Sequence, residues 1–295
     1  MMSAASPENT HPISAETLLA LPKVSPPFVH KIGRLVPELG LAGAVDSVLH
    51  DANIHLEVDG DLSEAYGEGL LIAADHRHRL EPLLVQAMMN QVGRRASHVI
   101  AMPTSLACRL LQASGPEGRE VVIPVVPTGN SRDNRPSLTQ VRAAYRYHQY
   151  PNVFGHSKED LRRLNAFAMA RAAGQVSVGG TVMIHPTGNQ SEAGNAQWLP
   201  GLGRIVQQLS PEAKDSAQLA VLRPENFAVS RVTAALALRD MGIHPRPQTI
   251  ALHTEALGSP MEVFGPLADE HTPQAAQQMS DITSDHYRQS FDIRT

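Results

Sequence analysis

A histidine and an acid follow a short apolar run in the stretch from Leu70 to Pro82, where α/β proteins commonly place their chemistry. His76 and Glu81 are separated by four residues, so a turn of the chain can bring the carboxylate back to the imidazole. Histidine suits general-base work near neutral pH, and a carboxylate on its second nitrogen stabilises the imidazolium that forms. Such a pair can deprotonate a hydroxyl for attack on an acyl carbonyl. Polar residues on the surface of an ordinary strand-to-helix turn would show the same spacing, so both interpretations stay open.

A second apolar run that ends in a polar, glycine-containing turn lies between Val182 and Gly194. Its backbone and polar side chains suit the binding of an acceptor or of a developing oxyanion. The candidate substrate-binding residues of this turn are Pro186, Thr187, Gly188, Asn189 and Gln190.

The first stretch resembles the first motif of the glycerol-phosphate and lysophosphatidate acyltransferase family, Asn-His-x-x-x-x-Asp-Pro. This chain has Asp75 in place of the asparagine and Glu81 in place of the aspartate. The second stretch, from His185 to Ser191, is most similar to Ala-Pro-Ser-Gly-Gly-Arg-Asp-Arg of the soluble plastid-type glycerol-3-phosphate acyltransferases. The preceding helix, LRRLNAFAMARAA, resembles the basic, asparagine-containing helix of that subgroup. Together these features cover less than half of the chain, in the family's order.

The resemblance implies an acyltransferase that moves an acyl group from a thioester to a hydroxyl or amine of a small-molecule acceptor. The thioester of acyl carrier protein or of coenzyme A would be the co-substrate, and no other cofactor is expected. In this interpretation His76 is the catalytic base and Glu81 orients it. A hydrolase that uses water as the acceptor, and a non-catalytic acyl-carrier-binding protein of the same fold, are the alternatives.

The nature of the acceptor is less well defined by the sequence. Lys158, Arg162 and Arg163 share part of a helix face that suits a phosphate or an acidic carrier protein, and an ordinary solvated basic face would look the same. The family's phosphate-binding arginine is absent, because Gln190 stands near its place and a neutral amide lacks both the charge and the fork geometry of a guanidinium. Glycerol 3-phosphate and a non-phosphorylated acceptor therefore both remain candidates.

The alternation of strand and helix patterns predicts an α/β fold with a central mixed, mostly parallel sheet flanked by helices, like that of glycerol-3-phosphate acyltransferase. We expect a mobile tail over residues 1–27, a small helical N-terminal segment over 28–65 and the acyltransferase-like domain over 66–295. The helix that starts near Lys158 should close at Gly174, and Thr272 should cap a terminal helix.

Composition excludes several classes of partner. The net charge is −4 and the basic residues are scattered, so no nucleic-acid-binding stripe is present. The single cysteine implies no disulfide framework, and the 14 histidines show no metal-ligand spacing. No apolar run approaches the roughly 18 residues of a transmembrane helix, which predicts a soluble, cytoplasmic protein and leaves peripheral membrane contact open.

Overall fold

One mixed sheet of seven strands forms the centre of the molecule, as seen in a computed structural model that describes residues 27–60, 62, 68–74, 80–101, 106–125, 158–187, 198–225 and 228–291. The strands in chain order are β1 (Ile54–Asp59), β2 (Leu70–Ala74), β3 (His98–Ala101), β4 (Val122–Pro124), β5 (Thr181–Ile184), β6 (Gln218–Glu225) and β7 (Gln248–Gly258). Their spatial order is β1-β7-β6-β2-β5-β3-β4.

Helices cover both faces of this sheet. They are α1 (Pro27–Asp51), α2 (Glu81–Gln91), α3 (Leu106–Ala113), α4 (Pro116–Glu120), α5 (Lys158–Ser177), α6 (Gly201–Gln207), α7 (Pro211–Ser216), α8 (Val229–Asp240), α9 (Pro260–Phe264) and α10 (Pro273–Ser290), with a 3₁₀ turn at Gly265–Asp269.

The central strands are parallel because the chain passes through a helix on one face of the sheet between one strand and the next. β2 pairs in parallel with β5 on one side and β6 on the other, while β7 pairs antiparallel with β6. All five residues of β2 are buried, as expected for a strand covered on both faces. The predicted α/β class, with a mostly parallel mixed sheet and flanking helices, is confirmed.

Two apolar cores form, one on each face of the sheet. Alternate residues of β2 point to opposite faces, so Ile72 belongs to the core under α1, α2, α3 and α8, which we call the first face. Leu71 and Ala73 belong to the core under α5, α6 and α10, which we call the second face. The sheet therefore contributes to both cores through the same strands.

Helix α1 is bent at Gly40, whose backbone is not helical at φ 67° and ψ 170°. The bend leaves the N–H of the next residue, Leu41, without a helical carbonyl, and the Glu117 carboxylate of α4 accepts it at 3.0 Å. The sequence predicts two short helices broken by Gly40 and Gly43, and the break is at Gly40 alone.

Strands β2 and β5 are fixed at their amino ends by close backbone contact and one arginine. A side chain at Gly69 would lie 2.0 Å from the carbonyl oxygen of Val176, so only glycine fits. Arg94 donates through Nε to the Thr181 hydroxyl at 3.1 Å and through Nη2 to the Glu68 carbonyl at 2.6 Å. This arginine, which follows α2, thus ties the start of β5 to the segment before β2.

Two sequence expectations about elements differ from the structure. Residues 28–65 include the strand β1, which pairs in parallel with β7 at one side of the sheet. The sequence analysis missed this strand because only Ile54, Leu56 and Val58 alternate with polar residues there. The helix α5 does not end at Gly174 but continues to Ser177. Gly174 is exposed and remains helical, because its neighbours Ala173 and Val176 pack in the second-face core.

The predicted cap of the last helix is confirmed, since the Thr272 hydroxyl accepts the N–H of Ala275 at 3.1 Å. Among the helices that the structure describes, none combines the length and the apolar character needed to cross a membrane.

Asp51, at the end of α1, binds one cation near the start of the same helix and one near the end of α8. These ion pairs make the stability of the protein depend on pH. Its carboxylate accepts from Arg239 Nη2 of α8 at 2.7 Å and from Lys31 Nζ of α1. The Arg239 and Lys31 hydrogen bonds hold the pKa of Asp51 well below its usual value of 3.8. A carboxyl whose pKa is depressed by folding adds stability above its unfolded pKa, and loses it as the pH falls below that value.

We therefore expect Asp51→Asn to lower the free energy of unfolding at pH 7 by about 1 kcal/mol, since the clamp is partly exposed. The difference from the wild type should shrink below about pH 4. Urea denaturation at several pH values measures both effects. Asp215→Asn, which changes an exposed aspartate of α7, is the matched control and should change neither.

His98, at the start of β3, also lowers stability as the pH falls, because folding favours its neutral form. Burial, and then the nearby Arg171 cation, lower the pKa of His98 from its ordinary value of 6.5. The unfolded chain therefore binds a proton at higher pH than the folded protein, and stability falls as the pH drops below about 6.5. His98→Gln should flatten the decline in melting temperature between neutral and mildly acidic pH, whereas His271→Gln, an exposed control, should keep it. An unchanged acid decline in His98→Gln would refute this assignment.

Candidate functional site

The candidate site lies where β2 and β5 end side by side. The two strands are parallel and in register, with Ala73 opposite Ile184. After β2 the chain enters α2 on the first face, and after β5 it reaches α6 on the second face. Adjacent parallel strands whose following helices lie on opposite faces leave a crevice between them, and open α/β sheets bind ligands in such crevices.

Glu81 is the first residue of α2 and is fully buried, with 0% of its surface exposed. A carboxylate in the first helical turn is favoured by the helix dipole. Leu80, which precedes it, is packed in the first-face core, so the start of the helix is held against the sheet. The predicted acid is therefore held at the start of α2, the helix that follows β2.

His185 connects the ends of the two strands. Its Nδ1 lies 3.1 Å from the carbonyl oxygen of Ala74, the last residue of β2, and the side chain is buried. A carbonyl oxygen only accepts hydrogen bonds, so Nδ1 carries the hydrogen of this contact. The sequence analysis included His185 in the second motif without giving it a role; its place directly after a buried strand was the available signal.

Pro186 and Thr187 continue from His185 into the interior. Thr187 is 2% exposed, and the N–H of Leu199 donates to the Pro186 carbonyl at 2.8 Å. The chain that leaves the sheet at Thr187 thus returns beside Pro186. Trp198, just before Leu199, packs against Tyr287 of α10 with ring centroids 5.5 Å apart, so it belongs to the core, as its sequence context suggests.

Several predicted site residues lie outside the described part of the chain. His76 falls in segment 75–79, between Ala74 and Leu80, and three of the candidate substrate-binding residues of the second motif fall in segment 188–197. Those three are Gly188, Asn189 and Gln190. The structure therefore describes a frame for the site. It consists of the ends of β2 and β5, joined by His185, of Pro186 and Thr187 after β5, and of buried Glu81 at the start of the helix after β2.

The basic residues at the start of α5 lie on the surface. Arg162 and Arg163 are exposed, and Arg163 Nε lies 3.4 Å from Glu159 Oε1 one turn earlier. Lys158 is the first residue of the helix, and its side chain is outside the described set. Because α5 joins the amino end of β5 through a short turn, its first turns point toward the end of the sheet that carries the crevice. The structure shows no contact between these two arginines and the described frame.

A polar cluster that the sequence analysis missed lies near the carboxyl end of β6. His253 of β7 lies with Nδ1 3.1 Å from Asp59 Oδ2 and with Nε2 3.3 Å from Glu225 Oε2. Arg223 lies 3.9 Å from Glu225 and donates to the Phe291 carbonyl at 2.8 Å. The residues come from three neighbouring strands, so only the strand order reveals the cluster.

A separate concavity of about 380 Å³ lies between α1, β1 and α2 and holds none of the predicted site residues. Its Asp46 carboxylate already accepts from the side-chain amides of Asn90 and Gln91, at 2.8 and 3.1 Å. Two exposed histidines, His50 and His55, pack edge to face beside it. Across the described ranges, no group of three or more His, Cys, Asp or Glu side chains is arranged to hold a metal ion.

Comparison with known proteins gives no family for this chain: no family model matches it, and no curated protein matches it. The resemblance to the acyltransferases therefore rests on the motif residues themselves.

His185 is expected to stabilise the crevice by holding the ends of β2 and β5 together. His185→Leu removes the hydrogen bond to Ala74 while keeping an apolar side chain in the buried position, and should cost about 1 kcal/mol of unfolding free energy. Urea denaturation at pH 7 measures the loss. His271→Leu, on the exposed surface, serves as the control, and equal stability of the two variants would contradict the role given to His185.

Proposed function

We propose that this protein is an acyltransferase that moves an acyl group from the thioester of acyl carrier protein or coenzyme A to a hydroxyl or amine of a small-molecule acceptor. One observation carries the proposal. The strands that precede the two motifs lie side by side, and the hydrogen bond from His185 to Ala74 joins their ends. Buried Glu81 begins the helix that follows β2. Motifs about a hundred residues apart in sequence thus begin at one crevice.

In the proposed reaction His76 is the base and Glu81 orients its imidazole. The acceptor hydroxyl gives its proton to His76 as its oxygen attacks the thioester carbonyl carbon, and the tetrahedral oxyanion collapses with cleavage of the carbon–sulfur bond. The departing thiolate takes the proton back from His76, so no external acid or oxidant is needed. Pro186 to Ser191 would supply the polar groups that stabilise the oxyanion or hold the acceptor.

The position of Glu81 supports its role as an orienting residue. A buried carboxylate at a helix start, packed beside Leu80, cannot adopt many rotamers, and a fixed carboxylate fixes the histidine that it binds. The crevice between helices on opposite faces also agrees with the ligand sites of other open α/β sheets. We propose, on the same grounds, that the fold is the glycerol-3-phosphate acyltransferase type and that the protein acts in the cytoplasm.

The residues indicate less directly whether the acceptor carries a phosphate group. Gln190 in place of the family's arginine favours an acceptor without phosphate, whereas exposed Arg162 and Arg163 at the start of α5, with Lys158 beside them in sequence, favour an anionic partner such as phosphate or an acidic carrier protein. Acceptors with and without phosphate, and both thioester donors, should therefore be tested.

The experiment measures free thiol released from acyl-carrier and coenzyme A thioesters, with and without a panel of hydroxyl and amine acceptors. His76→Ala should lower the transfer rate by at least about 100-fold, and Glu81→Gln should lower it less, because the base remains. His78→Ala is the matched control: it removes an imidazole from the same segment and should leave transfer unchanged.

Circular dichroism and thermal melting show whether each variant folds. Full turnover in folded His76→Ala would refute the proposed base. Thiol release that needs no acceptor would instead identify a hydrolase. Carrier binding that survives both substitutions, with no thiol released with any acceptor, would identify a non-catalytic carrier-binding protein.

A further inference from the structure

The turn between α8 and β7 exposes two large apolar side chains. Met241 is 66% exposed and Ile243 is 50% exposed, although most of the large apolar residues in the described part of the chain are buried. Single exposed apolar residues are common, but two within three positions on a projecting turn form a patch that suits contact with another surface.

The turn is held in place by the start of α1 and by Asn53, two residues after the end of α1. The N–H of Phe28 donates to the Asp240 carboxylate at 3.1 Å, at the end of α8, and the Asn53 side chain donates to the Pro245 carbonyl at 2.9 Å, just after the exposed pair. Met241 and Ile243 therefore project from a fixed corner of the molecule.

The corner around the turn is positively charged, in contrast to the chain as a whole, whose net charge is −4. Lys31 and Arg239 share the single carboxylate of Asp51. The corner comprises the first two turns of α1, Asp51, the end of α8 and the turn itself. It contains four cations and two carboxylates, namely Lys31, Arg34, Arg239 and Arg246, and Asp51 and Asp240. Arg246 and Arg34 are exposed to solvent.

Exposed apolar side chains flanked by arginine and lysine are typical of surfaces that bind anionic lipid headgroups. We propose that this corner binds the surface of an anionic phospholipid bilayer, with Met241 and Ile243 entering the headgroup region and Arg246 and Arg34 contacting the phosphates. The proposal commits to a membrane and not to a protein partner for two reasons. Two exposed apolar side chains make a small patch compared with a stable protein interface, and the excess of positive charge complements an anionic surface.

The register of the sheet relates this corner to the candidate site. Ala251 of β7 lies opposite Glu225, the last residue of β6, so the start of β7 at Gln248 extends beyond the carboxyl end of β6. The carboxyl end of β6 is beside that of β2. The turn before β7 therefore joins the sheet at the end that carries the crevice, which suits an enzyme whose lipid substrates or products lie in a bilayer.

Vesicle co-sedimentation of the full chain tests the proposal. Vesicles of phosphatidylcholine alone are compared with vesicles that also contain phosphatidylglycerol, at low and high salt. We expect the wild type to bind the anionic vesicles, with weaker binding at high salt. The double variant Met241→Ser/Ile243→Ser should bind at least about ten-fold less, and Arg246→Gln about five-fold less.

Val178→Ser is the matched control, because Val178 is 79% exposed but lies in the turn at the opposite, amino end of β5. It should bind vesicles like the wild type. Arg246→Gln keeps the test valid if the double variant does not fold, since it changes only an exposed charge.

No binding of the wild type to anionic vesicles, or equal binding by the wild type and both corner variants, would overturn the proposal. So would a double variant that binds vesicles normally but changes from dimer to monomer in sedimentation, since the patch would then contact a second copy of the chain. The assay measures lipid binding and not turnover, so its result is independent of the proposed acyl transfer.

Discussion

The parallel pairing of β2 with both β5 and β6 is the constraint on which the rest of the structure depends. Every residue of β2 is buried, and its alternate side chains anchor a separate core on each face of the sheet. A backbone in that position must pair on both edges, because unpaired buried N–H and C=O groups are costly. The same pairing sets the ends of the three strands side by side, and the candidate site is built on those ends.

Different interactions hold the two ends of these strands. At the amino end, Gly69 and Arg94 fix the backbones of β2 and β5 through very close contact and hydrogen bonds. At the carboxyl end, one buried hydrogen bond from His185 to Ala74 joins the strands, and the chains then diverge to opposite faces. Open α/β sheets bind ligands where neighbouring strands diverge in this way, whereas close backbone contact holds the amino ends together. Structural and chemical demands are thus separated along the same two strands.

Helix α1 links the regions that surround the sheet. It packs on the first face, receives the Glu117 carboxylate at its bend, and connects through Asp51 to α8. Its start, and Asn53 two residues after its end, also position the turn that carries Met241 and Ile243. A helix that the sequence suggested was a small N-terminal addition therefore supports the corner that we propose binds a membrane.

Local features were determined by the sequence itself. The apolar runs of β2 and β5, the cap at Thr272, and the polar residues that follow the two strands are all set by neighbours a few positions away. Glu81 could be identified as a candidate in the same manner, because a helix start and an acid seven residues after a strand are visible in the residues. These features predicted the α/β class and, within the site, the strands β2 and β5 and the acid Glu81.

The tertiary structure decided what depends on residues distant in the chain. Strand order, the contact of His185 with Ala74, the cluster of Asp59, Glu225 and His253, and the Asp51 clamp each join segments separated by more than one element. β1 and the passage of α5 through Gly174 were missed for the same reason, since pairing with β7 and packing on the second face outweigh weak local propensity. Local chemistry fixes which elements form and where polar groups follow them, but only long-range packing decides which of those groups meet.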